Sequence, residues 1–113
     1  MGLNWKEAER EIGRFLWEHD KPDDWQIKPR TGEIHGVGAD AESKHFIAEA
    51  KFTRNKKGFR ITLDIMDKIK ERAASKGKLP LVYVRMPYGK FVVLDLETFG
   101  ILIEAYKEVK NGD

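Results

Sequence analysis

Apolar side chains recur every three or four residues near the start of the chain and predict an amphipathic helix from Asn4 to about His19. Asn4 can cap this helix, with Glu7 as the partner in a capping box. Glu9 lies on or beside the apolar stripe, whereas Glu7 and Glu11 point further away from it. Glu9 is therefore the helix carboxylate best placed to face the interior. The apolar stripe consists of Trp5, Ala8, Ile12, Phe15 and Leu16.

The remaining pattern alternates between strand and helix periods. Pro22 ends the first helix, and Thr62 caps a second helix over 63–75 that Gly77 stops. The apolar run LPLVYVRM predicts a strand buried on both faces. The other predicted elements are a short strand at WQIKP (25–29), strands at about 37–42 and 45–53, a strand at FVVLDL (91–96), and a C-terminal helix in ETFGILIEAYKEV (97–109). The order α-β-β-β-α-β-β-α implies an α/β fold with a mixed central β-sheet flanked by helices.

Charged residues interrupt the apolar strand HFIAEAKFT, in which side chains alternate between the two faces of the sheet. Glu49 and Lys51 therefore share one face. A two-residue turn at Ser43-Lys44 would place Asp40 on the same face, diagonally beside Glu49. A three-residue loop would instead turn Asp40 to the opposite face.

Two carboxylates and a lysine on one face are the minimal set for hydrolysing a phosphodiester. Carboxylate oxygens suit Mg²⁺, which keeps several waters and accepts phosphate oxygens. A bound Mg²⁺ lowers the pKa of its water, and a nearby lysine can hold that water or stabilise the developing charge. The alternative is that Glu49 and Lys51 form an ion pair on an exposed sheet edge. The pattern supports the two interpretations equally.

Composition indicates one soluble domain over 1–113. Of the 113 residues, 41% are hydrophobic and 35% are charged, and this length suits a single core. No apolar run approaches the roughly 20 residues that span a bilayer, and the charged N-terminal segment does not resemble a signal peptide. Cysteine is absent, so we expect a reducing compartment such as the cytoplasm.

Basic residues are concentrated in KFTRNKKGFR (51–60), although the net charge of the chain is only +2. The segment contains no acid, so its cations are candidate phosphate contacts. A solvated loop that promotes solubility is an equally weighted alternative. Besides Lys51, the cations are Arg54, Lys56, Lys57 and Arg60.

The second and last helices carry more apolar surface than a small sheet readily covers. Part of this surface is expected in a homodimer interface, and packing against the sheet is the alternative. The residues concerned are Met66, Ile69, Phe99, Leu102 and Ile103.

The segments GAD and EAK resemble the D…(D/E)xK signature of the PD-(D/E)xK nuclease superfamily, with Ala39 where proline is usual. KEAEREIGRFLWEHD resembles the opening of archaeal-type Holliday junction resolvases. PRTGEIHGVGAD is similar to the Arg-Ser segment before the aspartate in that family, with Thr31 keeping the hydroxyl. The similarity covers roughly residues 4–86. It implies a restriction-endonuclease-like fold, and the site residues that it implies are the metal ligands Glu9, Asp40 and Glu49, the catalytic Lys51, and Arg30 and Thr31 near the scissile phosphate.

The function that the resemblance implies is a structure-selective DNA endonuclease, most like a homodimeric Holliday junction resolvase. Such an enzyme uses Mg²⁺, for which Mn²⁺ can substitute, and leaves 5′-phosphates. Its expected partners are branched or double-stranded DNA and a second copy of the chain, with no membrane, in the cytoplasm of a prokaryotic, archaeal or viral host cell. The alternatives are another repair, replication or restriction-like nuclease of the superfamily, or a non-catalytic nucleic-acid-binding module on the same fold.

Overall fold

A computed structural model describes residues 4–21 and 41–112, which form three helices and four strands. The elements are α1 (Trp5–His19), β1 (Ala41–Glu42), β2 (Phe46–Phe52), α2 (Leu63–Ser75), β3 (Leu79–Met86), β4 (Gly89–Val93) and α3 (Leu96–Asn111). Their order confirms a mixed α/β fold. The strand predicted at 25–29 and most of the strand predicted at 37–42 lie outside the described residues.

The first two helices begin at the residues that the sequence predicts. The Asn4 side chain accepts the N–H of Glu7 at 2.9 Å, and the Thr62 side chain accepts the N–H of Ile65 at 3.2 Å. Each cap satisfies one of the N–H groups that a helix start leaves unpaired. Helix α2 ends just before Gly77, whose φ of 67° is a left-handed conformation that glycine adopts without strain.

The four strands form one mixed sheet in the order β1-β2-β3-β4. Strands β2 and β3 run parallel and are connected through α2, whereas β1 and β4 pair with them in antiparallel fashion. Strand β3 is hydrogen-bonded on both sides and is buried along most of its length, which confirms the prediction from its unbroken apolar run.

Among the described elements, one helix covers each face of the sheet. Helix α1 packs on alanines and long β3 side chains, in a cluster of Ala8, Ile12, Leu16, Ala41, Ala48, Ala50, Leu81 and Tyr83. Helix α2 packs on the other face, in a cluster of Ile47, Ile69, Ala73, Val82 and Val84. Because successive residues of β2 belong to opposite clusters, Glu49 and Lys51 project with Ile47 towards α2.

The hairpin between β1 and β2 turns one residue later than predicted. Glu42 pairs with Ile47, so the turn lies at Lys44-His45 and not at Ser43-Lys44. Moving a turn by one residue shifts each cross-strand partner by two positions. Because side chains alternate with a period of two, the faces of the strands are unchanged.

Asp20, directly after α1, holds this turn in place. Its carboxylate accepts the hydroxyl of the fully buried Ser43 at 2.6 Å and the backbone N–H of His45 at 2.7 Å, and it lies 2.6 Å from Nδ1 of the His45 ring. Burial opposes ionisation of Asp20, but the hydrogen bonds from Ser43 and His45 outweigh it and lower its pKa. The turn is therefore bound by a residue 23 positions before Ser43.

Helix α3 follows β4 closely, and no other described helix or strand packs along it. In contrast, Met66 and Ile69 of α2 pack against the sheet. The predicted surplus of apolar surface is thus found on α3 and not at these α2 positions. None of the helices in the described part of the chain is long and apolar enough to span a membrane.

Candidate active site

Strand β2 presents Glu49 and Lys51 on the face that α2 covers. Ile47, on the same face, is fully buried in the core. The side chains of Glu49 and Lys51 are 22% and 33% exposed, so both remain accessible to solvent. This face of β2 therefore changes along its length from core to the wall of a cleft.

The Glu49 carboxylate lies between two cations. Lys51 Nζ is 3.3 Å from one of its oxygens, and Arg72 Nη1 is 3.5 Å from the other. Ion pairs between partly exposed side chains at these distances are individually weak, but two of them on one carboxylate orient it. Glu49 is consequently held in the cleft by one residue of its own strand and one of α2.

Glu49 and Lys51 line a cleft of about 270 Å³ between β2 and α2. Helix α2 contributes Asp64, Lys68 and Arg72, which are spaced four residues apart and share one side of the helix. Lys68 Nζ is 3.4 Å from Asp64 Oδ2. The cleft thus combines two carboxylates with three cations, a set that can hold a divalent metal beside a phosphate group.

The α2 residues of the cleft are missing from the site predicted from the sequence. Asp64, Lys68 and Arg72 each come one position before a residue that faces the sheet. Those sheet-facing residues are Ile65, Ile69 and Ala73. A charged row beside a buried row lies at the border of the contact between helix and sheet, where long side chains can reach the neighbouring strand. That offset is the signal in the sequence that could have identified them.

The basic residues predicted to contact DNA follow β2 directly. The N–H of Lys57 donates to Asn55 Oδ1 at 2.7 Å, and the N–H of Asn55 donates to Thr53 Oγ1 at 3.0 Å, so the segment forms a hydrogen-bonded turn. Lys56 Nζ lies 5.7 Å from the centre of the Tyr88 ring, within cation–π range. The exposed cations of this basic loop are Arg54, Lys56, Lys57 and Arg60.

Glu9, the predicted helix carboxylate, belongs to α1, and α1 packs on the face of the sheet opposite to Glu49 and Lys51. Its side chain is half-buried, and it is not among the described residues that line the cleft. Within residues 4–21 and 41–112, no three His, Asp or Glu side chains come close enough to hold a metal ion together.

Three of the predicted site residues, Arg30, Thr31 and Asp40, lie outside the described residues. The proposed metal set of Glu9, Asp40 and Glu49 therefore stays a prediction. The position predicted for the turn was wrong, and the face on which Asp40 lies stays a prediction.

Glu11 of α1 contacts the sheet, so the prediction that it points away from the apolar stripe was wrong. The Tyr83 hydroxyl donates to Glu11 Oε1 at 2.6 Å, and Arg85 Nε lies 3.0 Å from the same oxygen. Burial and the neighbouring Glu11 raise the pKa of Tyr83. The prediction failed because long β3 side chains reach past the apolar residues of α1 to its flank.

This network borders a larger cavity of about 450 Å³ on the α1 side of the sheet. Its walls include Phe15, Phe91 and Val92. The Glu11 carboxylate beside it is already bound by Tyr83 and Arg85, and it joins helix to strand. The smaller cleft on the other face contains Glu49 and Lys51, the carboxylate and the lysine of the motif that the sequence resembles, and on that ground it is the better candidate for catalysis.

Comparison of the chain with protein-family models, with curated proteins and with solved structures gave no match. The similarity to PD-(D/E)xK nucleases therefore depends on the motifs quoted above. The function of the chain is therefore inferred from those motifs together with the geometry of the cleft.

Proposed function

We propose that the protein is a Mg²⁺-dependent DNA endonuclease with a restriction-endonuclease-like fold. The observation that carries this proposal is the pair formed by Glu49 and Lys51, 3.3 Å apart in a cleft open to solvent. A metal-binding carboxylate and a lysine with this spacing on one strand match the motif that the sequence resembles. A mixed sheet with one helix on each face is compatible with that fold.

The oxygen donors of the cleft suit a magnesium ion. Glu49 and Asp64 supply carboxylate oxygens, the hard ligands that Mg²⁺ prefers and that Mn²⁺ also accepts. Asp40 is the further ligand that the resemblance implies for this cleft, whereas Glu9, which it also implies, belongs to α1 on the opposite face of the sheet. When bound, the metal neutralises charge on the phosphate and lowers the pKa of a water molecule.

The protein's own groups orient the reactants. Lys51 donates a hydrogen bond to the attacking water or to a phosphate oxygen, and Arg72 and Lys68 hold the phosphate from the α2 side. The water oxygen bonds to phosphorus in line with the P–O3′ bond, which breaks. The water gives up its proton to solvent and the departing 3′-oxygen takes one up, so the products are a 3′-hydroxyl and a 5′-phosphate.

The exposed cations of the basic loop suit the DNA backbone. They would neutralise phosphates without reading bases, so binding should depend strongly on salt and weakly on sequence. We propose a four-way junction as the preferred DNA and a homodimer as the active form, since a junction requires two symmetrically related cuts.

The test is cleavage of a labelled four-way junction, with linear duplex and flap DNA compared in parallel. Wild type should cut with Mg²⁺ or Mn²⁺ but not with a chelator. Glu49→Ala and Lys51→Ala should each lose at least about a hundredfold in rate, because each removes a group that acts at the phosphate. Lys70→Ala, which changes an exposed lysine of α2 outside the cleft, should cut like wild type. If Glu49→Ala and Lys51→Ala also cut like wild type, the assigned site is wrong.

A non-catalytic nucleic-acid-binding module is the second candidate, because Lys51 and Arg72 already contact both oxygens of Glu49. Such a module would bind DNA in a salt-dependent way without cutting it in Mg²⁺ or Mn²⁺. Calorimetric titration with Mg²⁺ separates the two candidates. Binding that Asp40→Asn abolishes favours the enzyme, and no heat from wild type favours the module.

A further inference from the structure

Helix α3 carries an apolar surface that the rest of the described chain leaves uncovered. Leu96, Phe99, Ile103 and Tyr106 follow one another at intervals of three, four and three residues, which places them along one side of the helix. All four are exposed, and no described helix or strand packs along them. We call these four residues the α3 stripe.

The opposite side of α3 is acidic, so the helix is clearly two-sided. Successive helical residues are about 100° apart, which puts Glu97, Glu104 and Glu108 roughly opposite the α3 stripe. Solvent suits the acidic side, whereas the α3 stripe exposes two aromatic rings and two branched aliphatic side chains to water. A helix with this distribution usually buries its apolar side against another element.

We propose that two copies of the protein associate through the α3 stripe, as a two-fold symmetric pair of α3 helices. A two-fold interface brings identical patches together, and the apolar stripe is complementary to itself. Phe99 is 51% and Tyr106 is 65% exposed, so these rings alone leave on the order of 200 Å² uncovered in each copy. With Leu96, Ile103 and the neighbouring Val109, two copies would bury about 1,000 Å², the lower limit for a specific interface.

An antiparallel arrangement fits the charges of the helix. Asp95 is the N-cap residue at its N-terminal end, and Lys107 and Lys110 near its C-terminal end lie within about 60° of the α3 stripe, whereas the three glutamates lie on the acidic side. Antiparallel pairing brings Asp95 of one copy towards Lys107 and Lys110 of the other, and it also opposes the two helix dipoles. The centre of such a pair falls near Ile103, which would contact its own counterpart at the two-fold axis.

The helix offers a matched pair of isoleucines for the test. Ile103 is 41% exposed and lies on the α3 stripe, whereas Ile101 is 47% exposed and lies on the acidic side. Ile103→Glu would bring two carboxylates together at the two-fold axis, while Ile101→Glu adds the same charge outside the proposed contact. Sedimentation equilibrium over a range of protein concentrations measures the dissociation constant of the dimer for each variant.

We expect wild type and Ile101→Glu to be dimers of similar affinity, and Ile103→Glu to dissociate at least about a hundredfold more readily. Far-ultraviolet circular dichroism should show the same helix content in both variants, which excludes unfolding as the cause. A monomeric wild type, or equal effects of the two substitutions, would overturn the proposal.

A third variant tests the alternative contact, in which α3 of one copy binds the cavity beside Phe91 and Val92 of the other. Phe91→Asp changes that cavity and leaves the α3 stripe intact. Dissociation by Phe91→Asp with no effect of Ile103→Glu would place the contact in the cavity and reject the helix pair. This contact rests on the homodimer proposed above as the active form and names its interface. Because sedimentation reports association and cleavage of linear duplex DNA reports catalysis, loss of the dimer and loss of the active site remain distinguishable.

Discussion

Removal of the Asp20 carboxylate should destabilise the whole domain, because this one side chain ties the end of α1 to the β1–β2 turn. It accepts the hydroxyl of the buried Ser43 and the backbone N–H of His45, and it contacts the His45 ring. Asp20→Ala would leave the Ser43 hydroxyl and the His45 N–H without this acceptor. The turn would then be free to move to the position that local sequence favours.

The size of the effect follows from the surroundings of each contact. A shielded hydrogen bond to an ionised group contributes about 1.5–3 kcal/mol, which we assign to Ser43. The exposed N–H of His45 contributes about 1 kcal/mol, and the contact with the largely exposed His45 ring is screened and adds at most about 1 kcal/mol. Asp20→Ala should therefore lose about 3 kcal/mol of unfolding free energy, equivalent to a decrease in Tm on the order of 10 °C.

Urea unfolding followed by circular dichroism measures this difference. Hydrogen bonds lower the pKa of Asp20 in the folded protein, so its stabilisation is complete above the ordinary aspartate pKa of about 3.9 and disappears as the pH falls through the lower folded value. The difference in unfolding free energy between wild type and Asp20→Ala should thus have its full value at pH 6 and should decrease below pH 4. Asp20→Asn, which keeps one acceptor oxygen, should lose about half as much. A loss below about 0.5 kcal/mol at pH 6, or a gap that is independent of pH, would refute this account.

Three further predictions concern the cleft, the basic loop and the α1 face. Lys68→Ala should slow DNA cleavage about tenfold while Lys70→Ala does not, because only Lys68 lines the cleft; equal rates in a single-turnover assay would contradict this. Replacing the four cations of the basic loop by alanine should reduce the magnitude of the slope of log affinity against log salt concentration by about 3–4, because each cation is expected to contact one phosphate. Fluorescence anisotropy at several salt concentrations measures this slope, and an unchanged slope would contradict the prediction. Tyr83→Phe should lose about 1.5–3 kcal/mol of unfolding free energy, since its hydroxyl donates to the Glu11 carboxylate; a urea midpoint like that of wild type would contradict it.

Features that depend on neighbours in the chain were predictable from the sequence. The caps at Asn4 and Thr62, the end of α2 before Gly77, and the buried strand β3 all follow from local chemistry or from a short apolar pattern. The shared face of Glu49 and Lys51 also follows, because strand alternation requires no knowledge of the tertiary structure.

Features that depend on distant partners were not predictable. The turn moved because Asp20 binds it from 23 positions away, and Glu11 faces the sheet because long β3 side chains reach it. Arg72 is 23 positions from Glu49 and meets it only after α2 crosses over the sheet. In each case the contact forms only after a helix has docked on the sheet. The pattern of residues along the chain does not show which distant residues the docked helix brings together.

The parallel pairing of β2 and β3 through α2 has a consequence for how the protein forms. All the described residues of the cleft lie between Glu49 and Arg72, inside this one strand–helix–strand unit. Closure of a connection of this length carries only a modest entropic cost, because each doubling of its length adds only about 0.6 kcal/mol. The described part of the cleft can therefore assemble once β2, α2 and β3 have docked, without any contribution from α3.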